Sequence, residues 1–472
     1  MANTRRTVSR RRFLGWASML GATSALAACA PSVQNPAQPT QAGVATVAAT
    51  PAPGQAATPA PKEVIRLEWW SQWGSTNGEA CKKVAANYMA QTPGVEVNVL
   101  LQANDEKVLA AVAANEAPDF FNMHENHPAY AMRGALTVLD EYISNSSVIK
   151  PDNYDARMFD TLKYCGKFYA VPAPEGDLWF CLVYNKKLFK EAGLDPERPP
   201  QTFDELRQMS DAITRFDQNG DIEVLGYDPL DGMSALLPAW CMGWNTVWVD
   251  ENMAPKVNTR EHIEFAQYIA GYYRQYGAEK MGAYRQAYTG WTDPNSGFFK
   301  EKQAMMCIGS FMPGETVLKC KPEIYENFGI TWWPNKAGKK LQNGTFVGIS
   351  MFSSCKHKDE GFKFLEYVCS DDALYTLFKE GGVFTFTKSL VKKAQADLEK
   401  LPCMPGFVDT FLNCDEFYPF QMHPMTREIW NRWGKAIGEV NFGRMTAEQA
   451  MNALQAELDQ VFAPMQSKLC PA

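Results

Sequence analysis

The sequence predicts an α/β protein built as two domains. From Val64 to Met123 the chain reads strand, helix, strand, helix, strand, which is the order of a parallel sheet with helices packed on it. The body from residue 63 onward, about 410 residues, exceeds what one hydrophobic core supports, so it divides in two. Apolar residues at 46% and charged residues at 21% are those of an ordinary globular chain.

The first segment, 1–28, reads as a leader. Ser9-Arg10-Arg11-Arg12-Phe13-Leu14 precedes an uncharged apolar run that closes on Leu26-Ala27-Ala28-Cys29. That run, about fifteen residues, is shorter than the roughly twenty that span a bilayer, and the small residues before Cys29 suit a cleavage site. The tandem arginines resemble the twin-arginine export signal, and Leu-Ala-Ala-Cys resembles the lipobox of bacterial lipoproteins. Cys29 is therefore the expected lipidation site, holding the chain to the outer face of the cytoplasmic membrane. Residues 29–62 are almost entirely Ala, Pro, Gln, Thr, Gly and Val, with no aromatic and no acid, and cannot bury a core. They read as a disordered tether with a reach of about 30 Å.

Val64 to Trp70 is an apolar strand, followed by the polar loop from Ser71 to Gly78. Ala80, Val84 and Tyr88 recur at helical spacing. Val95, Val97 and Val99 alternate with polar residues as a second strand. Val108, Leu109 and Val112 mark a second amphipathic helix, and Asp119 to Met123 is a third strand. In such sheets ligands lie at the carboxyl ends of the strands, here Gln72-Trp73-Gly74 and His124-Glu125-Asn126. Tyr164 to Pro172 reads as a hairpin-like turn and strand, and Leu178 to Tyr184 as a further strand. The proline-rich passage between them suits a crossing between domains. Phe203, Leu206, Met209 and Ile213 predict a helix capped by Thr202 or Asp204. Ile263 to Tyr273 and Ala447 to Phe462 are helical, and Ala304 to Gly309 is a strand.

Charge and cysteine content narrow the function. The net charge of −7 becomes about −12 once Arg5, Arg6, Arg10, Arg11 and Arg12 leave with the leader, which excludes nucleic acid as the expected partner. No other stretch is long and apolar enough to span a membrane. Eleven cysteines remain besides Cys29, none in a Cys-x-x-Cys pair. Cys403 with Cys414 and Cys307 with Cys320 are the expected bridges. His124-x-x-His127 lacks a third ligand nearby, and the glycine in Asp217-Gln218-Asn219-Gly220-Asp221 comes too early for an EF-hand loop. No metal and no cofactor is expected.

Several segments resemble, in order, the extracellular solute-binding proteins of carbohydrate ABC transporters, the maltose-binding-like group. They are Pro118-Asp119, Gly134-Ala135-Leu136, Gly166 to Pro172, Tyr184-Asn185-Lys186 with Ala192-Gly193-Leu194, Thr202 to Leu206, Ala304-Met305-Met306 with Gly309-Ser310-Phe311, Phe346 to Ile349, and Phe364-Leu365 with Gly381-Gly382. The resemblance implies two discontinuous α/β lobes, 63–174 with 335–383 and 175–334 with 384–472, joined by a hinge around a ligand cleft. It also implies a monomer that captures a sugar or oligosaccharide and delivers it to ABC permease subunits.

Sugar sites pair aromatic planes with carboxylates and amides that grip hydroxyls. Gln72 and Trp73, in the loop after the first strand, fit that chemistry. The resemblance adds Glu125, nine residues before Gly134 where maltose-type members hold a carboxylate, and Asn126 beside it. It adds Phe311 after Gly309-Ser310, and Trp430, thirteen residues before Gly443. It further adds Asp228, followed by Pro229, and Glu175 at the crossover. Asn122 stands where those members carry an aromatic residue, which argues against a linear maltodextrin. Trp240 and Trp244 read equally as ligand-stacking rings or as core. No nucleophile elbow, phosphate loop or zinc-protease motif is present. The rival reading is a secreted glycan-active lipoprotein enzyme with paired carboxylates. A third keeps the fold for a polyol, a glycerol phosphodiester or a peptide.

Overall fold

The computed structural model describes residues 64–124, 126–288, 290, 293–315 and 322–470. The leader, Cys29 and the tether lie outside the described residues, as does Glu125. In chain order the strands are β1 (Ile65–Ser71), β2 (Val95–Leu100), β3 (Phe120–Met123), β4 (Lys163–Tyr164), β5 (Lys167–Phe168), β6 (Val171–Leu178), β7 (Cys181–Asn185), β8 (Arg215–Phe216), β9 (Ile222–Gly232), β10 (Gln303–Ile308), β11 (Phe328–Trp332), β12 (Leu341–Gln342), β13 (Gly344–Met351) and β14 (Glu416–Phe417).

Ten of them make two five-stranded sheets, one per lobe, and the other four pair as β4 with β5 and β12 with β14. The first has the order β2-β1-β3-β13-β6, with β1 parallel to β2 and β3, and β13 antiparallel to β3 and β6. The second has the order β11-β7-β10-β9-β8, with β9 and β10 parallel and β7 antiparallel to both its neighbours. Helix Ser75–Gln91 buries the face that carries Ala80, Val84 and Tyr88. Helix Asp105–Ala113 is capped by Asn104, whose side chain accepts from the Lys107 amide at 2.9 Å. It buries Val108 but turns Leu109 outward, 41% exposed, so its apolar face is narrower than the sequence predicts.

Leu178 to Tyr184 is not one strand. The chain breaks at Trp179–Phe180, leaving β6 in the first sheet and β7 in the second. Ser310 fastens this break, because its amide donates to the Leu178 carbonyl at 2.8 Å and the Leu178 amide donates to its hydroxyl at 3.0 Å. In the second lobe, helix Phe203–Ile213 opens with Thr202 and Glu205 in a reciprocal capping box. It lies so close to β9 that a Cβ on Gly226 would stand 2.3 Å from the Ser210 carbonyl oxygen. Only glycine fits there. The expected loop at Asp217 is a solvated turn, with the Asp217 carboxylate accepting from the Asn219 and Asp221 amides.

The expected bridges do not form. Cys403 and Cys414 flank helix Met404–Leu412, whose nine residues at about 1.5 Å each hold the two far beyond the 4.4–6.8 Å a disulfide needs. Cys307 is a buried free thiol in β10, and Cys320 lies outside the described residues. Among the described residues a bridge joins Cys165 to Cys470 across 305 positions.

Three histidines are buried and held neutral. His127 and His423 are lowered to about 4 and His262 to about 3, burial being the main cause in each. His423 is fixed at both nitrogens: Nδ1 accepts from the Met425 amide at 3.0 Å, so Nε2 donates to the Met253 carbonyl at 2.9 Å. As pH falls from about 6.5 to about 4, the unfolded chain binds protons that the folded histidines refuse, so stability drops. Asp231, raised to about 6 chiefly by burial, and Asp228, raised by the same cause, act oppositely over the lower part of that window, two groups against three. The melting temperature should therefore decline steadily between pH 6.5 and 4; a flat or rising series would refute this assignment.

Candidate functional site

A cavity of about 650 Å³ is lined by residues of both lobes. The first lobe contributes Gln72 and Trp73 from the loop after β1, His124 after β3, and Glu175 and Asp177 from β6. Residues two apart on a strand share a face, so both carboxylates project the same way, and Trp179 continues that alternation at the crossover. Both carboxylates are buried, Glu175 at 6% and Asp177 at 4% exposure. Asp177 accepts from the Ser310 hydroxyl at 3.2 Å, which ties it to the crossing between lobes.

The second lobe contributes Met233, Ala235 and Leu236 from the turn after β9, Phe311 after β10, and one face of helix Thr426–Asn441. On that helix Arg427, Trp430, Asn431 and Gly434 fall at i, i+3, i+4 and i+7 and so stand in one row. Trp430 meets Trp179, Phe420 and Trp248 edge-on, with centroids 6.4, 6.0 and 6.1 Å away. Its indole nitrogen is buried and has no protein acceptor, and the Gln72 amide nitrogen is likewise without one. Two buried donors in the walls of one cavity are unusual, because each costs about 1–3 kcal/mol until it is satisfied.

Of the residues singled out from sequence, Gln72, Trp73, Glu175, Phe311 and Trp430 come together here. Glu125 lies outside the described residues. Asn126 is half-buried behind the wall, donating its amide to the Asp105 carboxylate. Asp228 does not face this cavity. It is 1% exposed, paired with Arg285 at 3.4 Å, and accepts from the Leu230 amide at 2.9 Å. It lines a separate recess of about 380 Å³ that meets the main cavity at Ala235.

Trp240 and Trp244 are core residues. Trp240 is fully buried, its indole donating to the Ser234 carbonyl at 2.7 Å, and Trp244 stacks on Phe203 at 4.2 Å. Helix Leu237–Trp244 is apolar all round and buried along its whole length, so these rings have no route to the cleft. Of the other lining residues, His124 stands at a strand end that the topology marks for ligand, whereas Asp177, Trp179, Arg427 and Asn431 were missed. The strand alternation from Glu175 and the helical spacing around Trp430 carried the signal for these four. Arg427 brings a guanidinium to the cavity from a helix rather than from a loop. Among the described residues no group of His, Cys, Asp and Glu is arranged to hold a metal ion.

Two α/β lobes with a lined cavity between them define a bilobed solute-binding protein. Residues 83–405 match the family described as bacterial extracellular solute-binding protein, and the chain belongs to that family. Among curated proteins, a segment is 27% identical over 154 residues to the sn-glycerol-3-phosphate-binding periplasmic protein of Yersinia pestis, covering 30% of this chain and 34% of that protein. The Salmonella typhimurium counterpart is 30% identical over 150 residues, 28% and 33% of the two chains. The match thus spans about a third of these relatives' length. Among solved structures, CpMnBP1 with mannobiose bound superposes with a TM-score of 0.71 at 24% identity, over 84% of this chain and 100% of that one. The sugar-binding protein MalE of Xanthomonas citri does so at 0.68 and 19%, over 85% and 98%. At these identities the structures establish the fold. Among the described residues no helix is long and apolar enough to cross a membrane.

Proposed function

We propose that the protein is an extracytoplasmic receptor that captures a sugar or short oligosaccharide between its lobes and passes it unaltered to the permease of an ABC importer. The observation that carries this reading is the cavity itself, in which aromatic rings from both lobes flank two buried carboxylates. Carboxylates take paired hydroxyls, and rings take the C–H faces of a pyranose. Solute bound to one lobe and bridged by the other favours a closed form, with affinity set by the difference between the two states. The lobe limits given above carry over, with the first crossover set at Trp179–Phe180. The chain acts as a monomer, without catalysis or cofactor. Its leader is removed before Cys29, which is lipidated, and residues 29–62 let the body dock on its membrane partner.

The chemistry favours a neutral guest over the glycerol phosphate of the curated relatives. Among the described lining residues Arg427 is the only Lys or Arg, and it shares the cavity with Glu175 and Asp177. A phosphate dianion entering would meet more negative than positive charge. A thermal-shift series with mannobiose, maltotriose, ribitol and sn-glycerol 3-phosphate, followed by product analysis, tests the reading. A rise of several degrees with a sugar, and recovery of that sugar intact, is expected. Release of shorter sugars would favour the glycan-active enzyme, and a response to the phosphate ester alone would overturn the choice of solute.

A further inference from the structure

We propose that the Cys165–Cys470 disulfide is a strap between the two lobes that limits how far the cleft opens. Cys165 stands at the turn of the β4–β5 hairpin. Its neighbours Tyr164 and Tyr169 belong to an apolar cluster with Phe121, Met123 and Tyr130 of the first lobe. Cys470 follows Leu469, which is buried with Phe462 in the cluster that also holds helices Arg260–Tyr276 and Thr426–Asn441 of the second lobe. The bond therefore fastens the end of one lobe to a hairpin of the other. The Tyr164 hydroxyl donates to the Leu469 carbonyl at the same place.

The strap adjoins the solute cavity through a short series of contacts. Trp430 of the cavity wall packs on Trp248 at 6.1 Å, and Trp248 packs on His423 at 6.2 Å. His423 donates to the Met253 carbonyl at 2.9 Å, and the Met253 sulfur lies 4.0 Å from Cys165 Sγ. Met253 and Met132 each pack against both the first-lobe and the second-lobe clusters. Methionines slide and repack at little cost, so this is a contact that parts when lobes swing. The disulfide is what does not part. Separation in sequence adds to the case: the chain crosses between the sheets at Trp179–Phe180 and again between β11 and β13, and the strap is a covalent link apart from those crossings.

Both bridged residues are exposed, whereas the other cysteines found free among the described residues are buried or half-buried. A dithiol such as dithiothreitol can thus reach this bond in the folded protein. Its thiolate attacks one sulfur, the second thiol resolves the mixed disulfide, and the protein gains two thiols as the reagent becomes a cyclic disulfide. This inference rests on the proposed opening and closing of the lobes but not on which solute they hold.

Small-angle scattering of the sugar-free protein, oxidised, reduced by dithiothreitol, and as Cys470→Ser, tests it. A compact body of this size has a radius of gyration of about 22 Å, and cutting the strap should raise it by roughly 1 Å. Titration with mannobiose should show about a three- to tenfold weaker affinity after cutting, because the binding-competent form is less populated. If the radius is the same in all three samples while only the melting temperature falls, the bond merely staples the tail and the proposal is wrong. Should Cys470→Ser fail to fold, the reduced wild type decides the matter. Failure of mannobiose to bind would count against the proposed solute, and the scattering comparison would still judge the strap.

Discussion

Glu175→Gln is expected to lower sugar affinity about 10- to 100-fold while moving the melting temperature by only a few degrees. Glu175 is 6% exposed and lines the cavity on the strand that carries Asp177. A hydrogen bond to an ionised group contributes about 1.5–3 kcal/mol, roughly one to two decades in affinity. Glutamine keeps the volume and one acceptor but loses the charge and the ability to accept from two hydroxyls at once. Calorimetric titration of the variant with the best sugar of the thermal-shift series measures the effect. A loss under threefold would mean that the carboxylate serves the fold and not the solute.

Trp240→Ala should do the reverse. Trp240 is fully buried among Phe203, Trp244, Phe265 and Trp333, and its indole is satisfied within the core. Removing such a side chain leaves a cavity and costs about 3–5 kcal/mol, much of the stability of an ordinary domain. Chemical denaturation should show that loss, and the folded fraction should bind sugar within about twofold of the wild type. If stability were unchanged and binding were lost, Trp240 would belong to the site after all.

The contrast between these two residues shows what the sequence could convey. The sheet of the first lobe was legible because β1, β2 and β3 are separated by helices whose apolar residues recur at helical spacing, as Ala80, Val84 and Tyr88 do. The loop after β1 pointed to Gln72 and Trp73 for the same topological reason. Trp240 and Trp244 were ambiguous because an apolar helix has no polar face to say which way it turns. Asp228 reads the same from sequence whether it grips a ligand or pairs inward, because its partner, Arg285, is distant in the chain. The bridge between Cys165 and Cys470 left no local trace, since residues 305 apart meet only after both lobes have formed. The split of Leu178 to Tyr184 was equally hidden: apolar residues on both sides of Trp179–Phe180 are what either sheet requires.

The most direct test of the account is calorimetric titration of the folded wild-type body with mannobiose, maltotriose and sn-glycerol 3-phosphate under one set of conditions. One equivalent of a neutral sugar should bind and be recovered whole, and the phosphate ester should give no heat. Binding of the phosphate ester alone, or conversion of a sugar to smaller products, would contradict it.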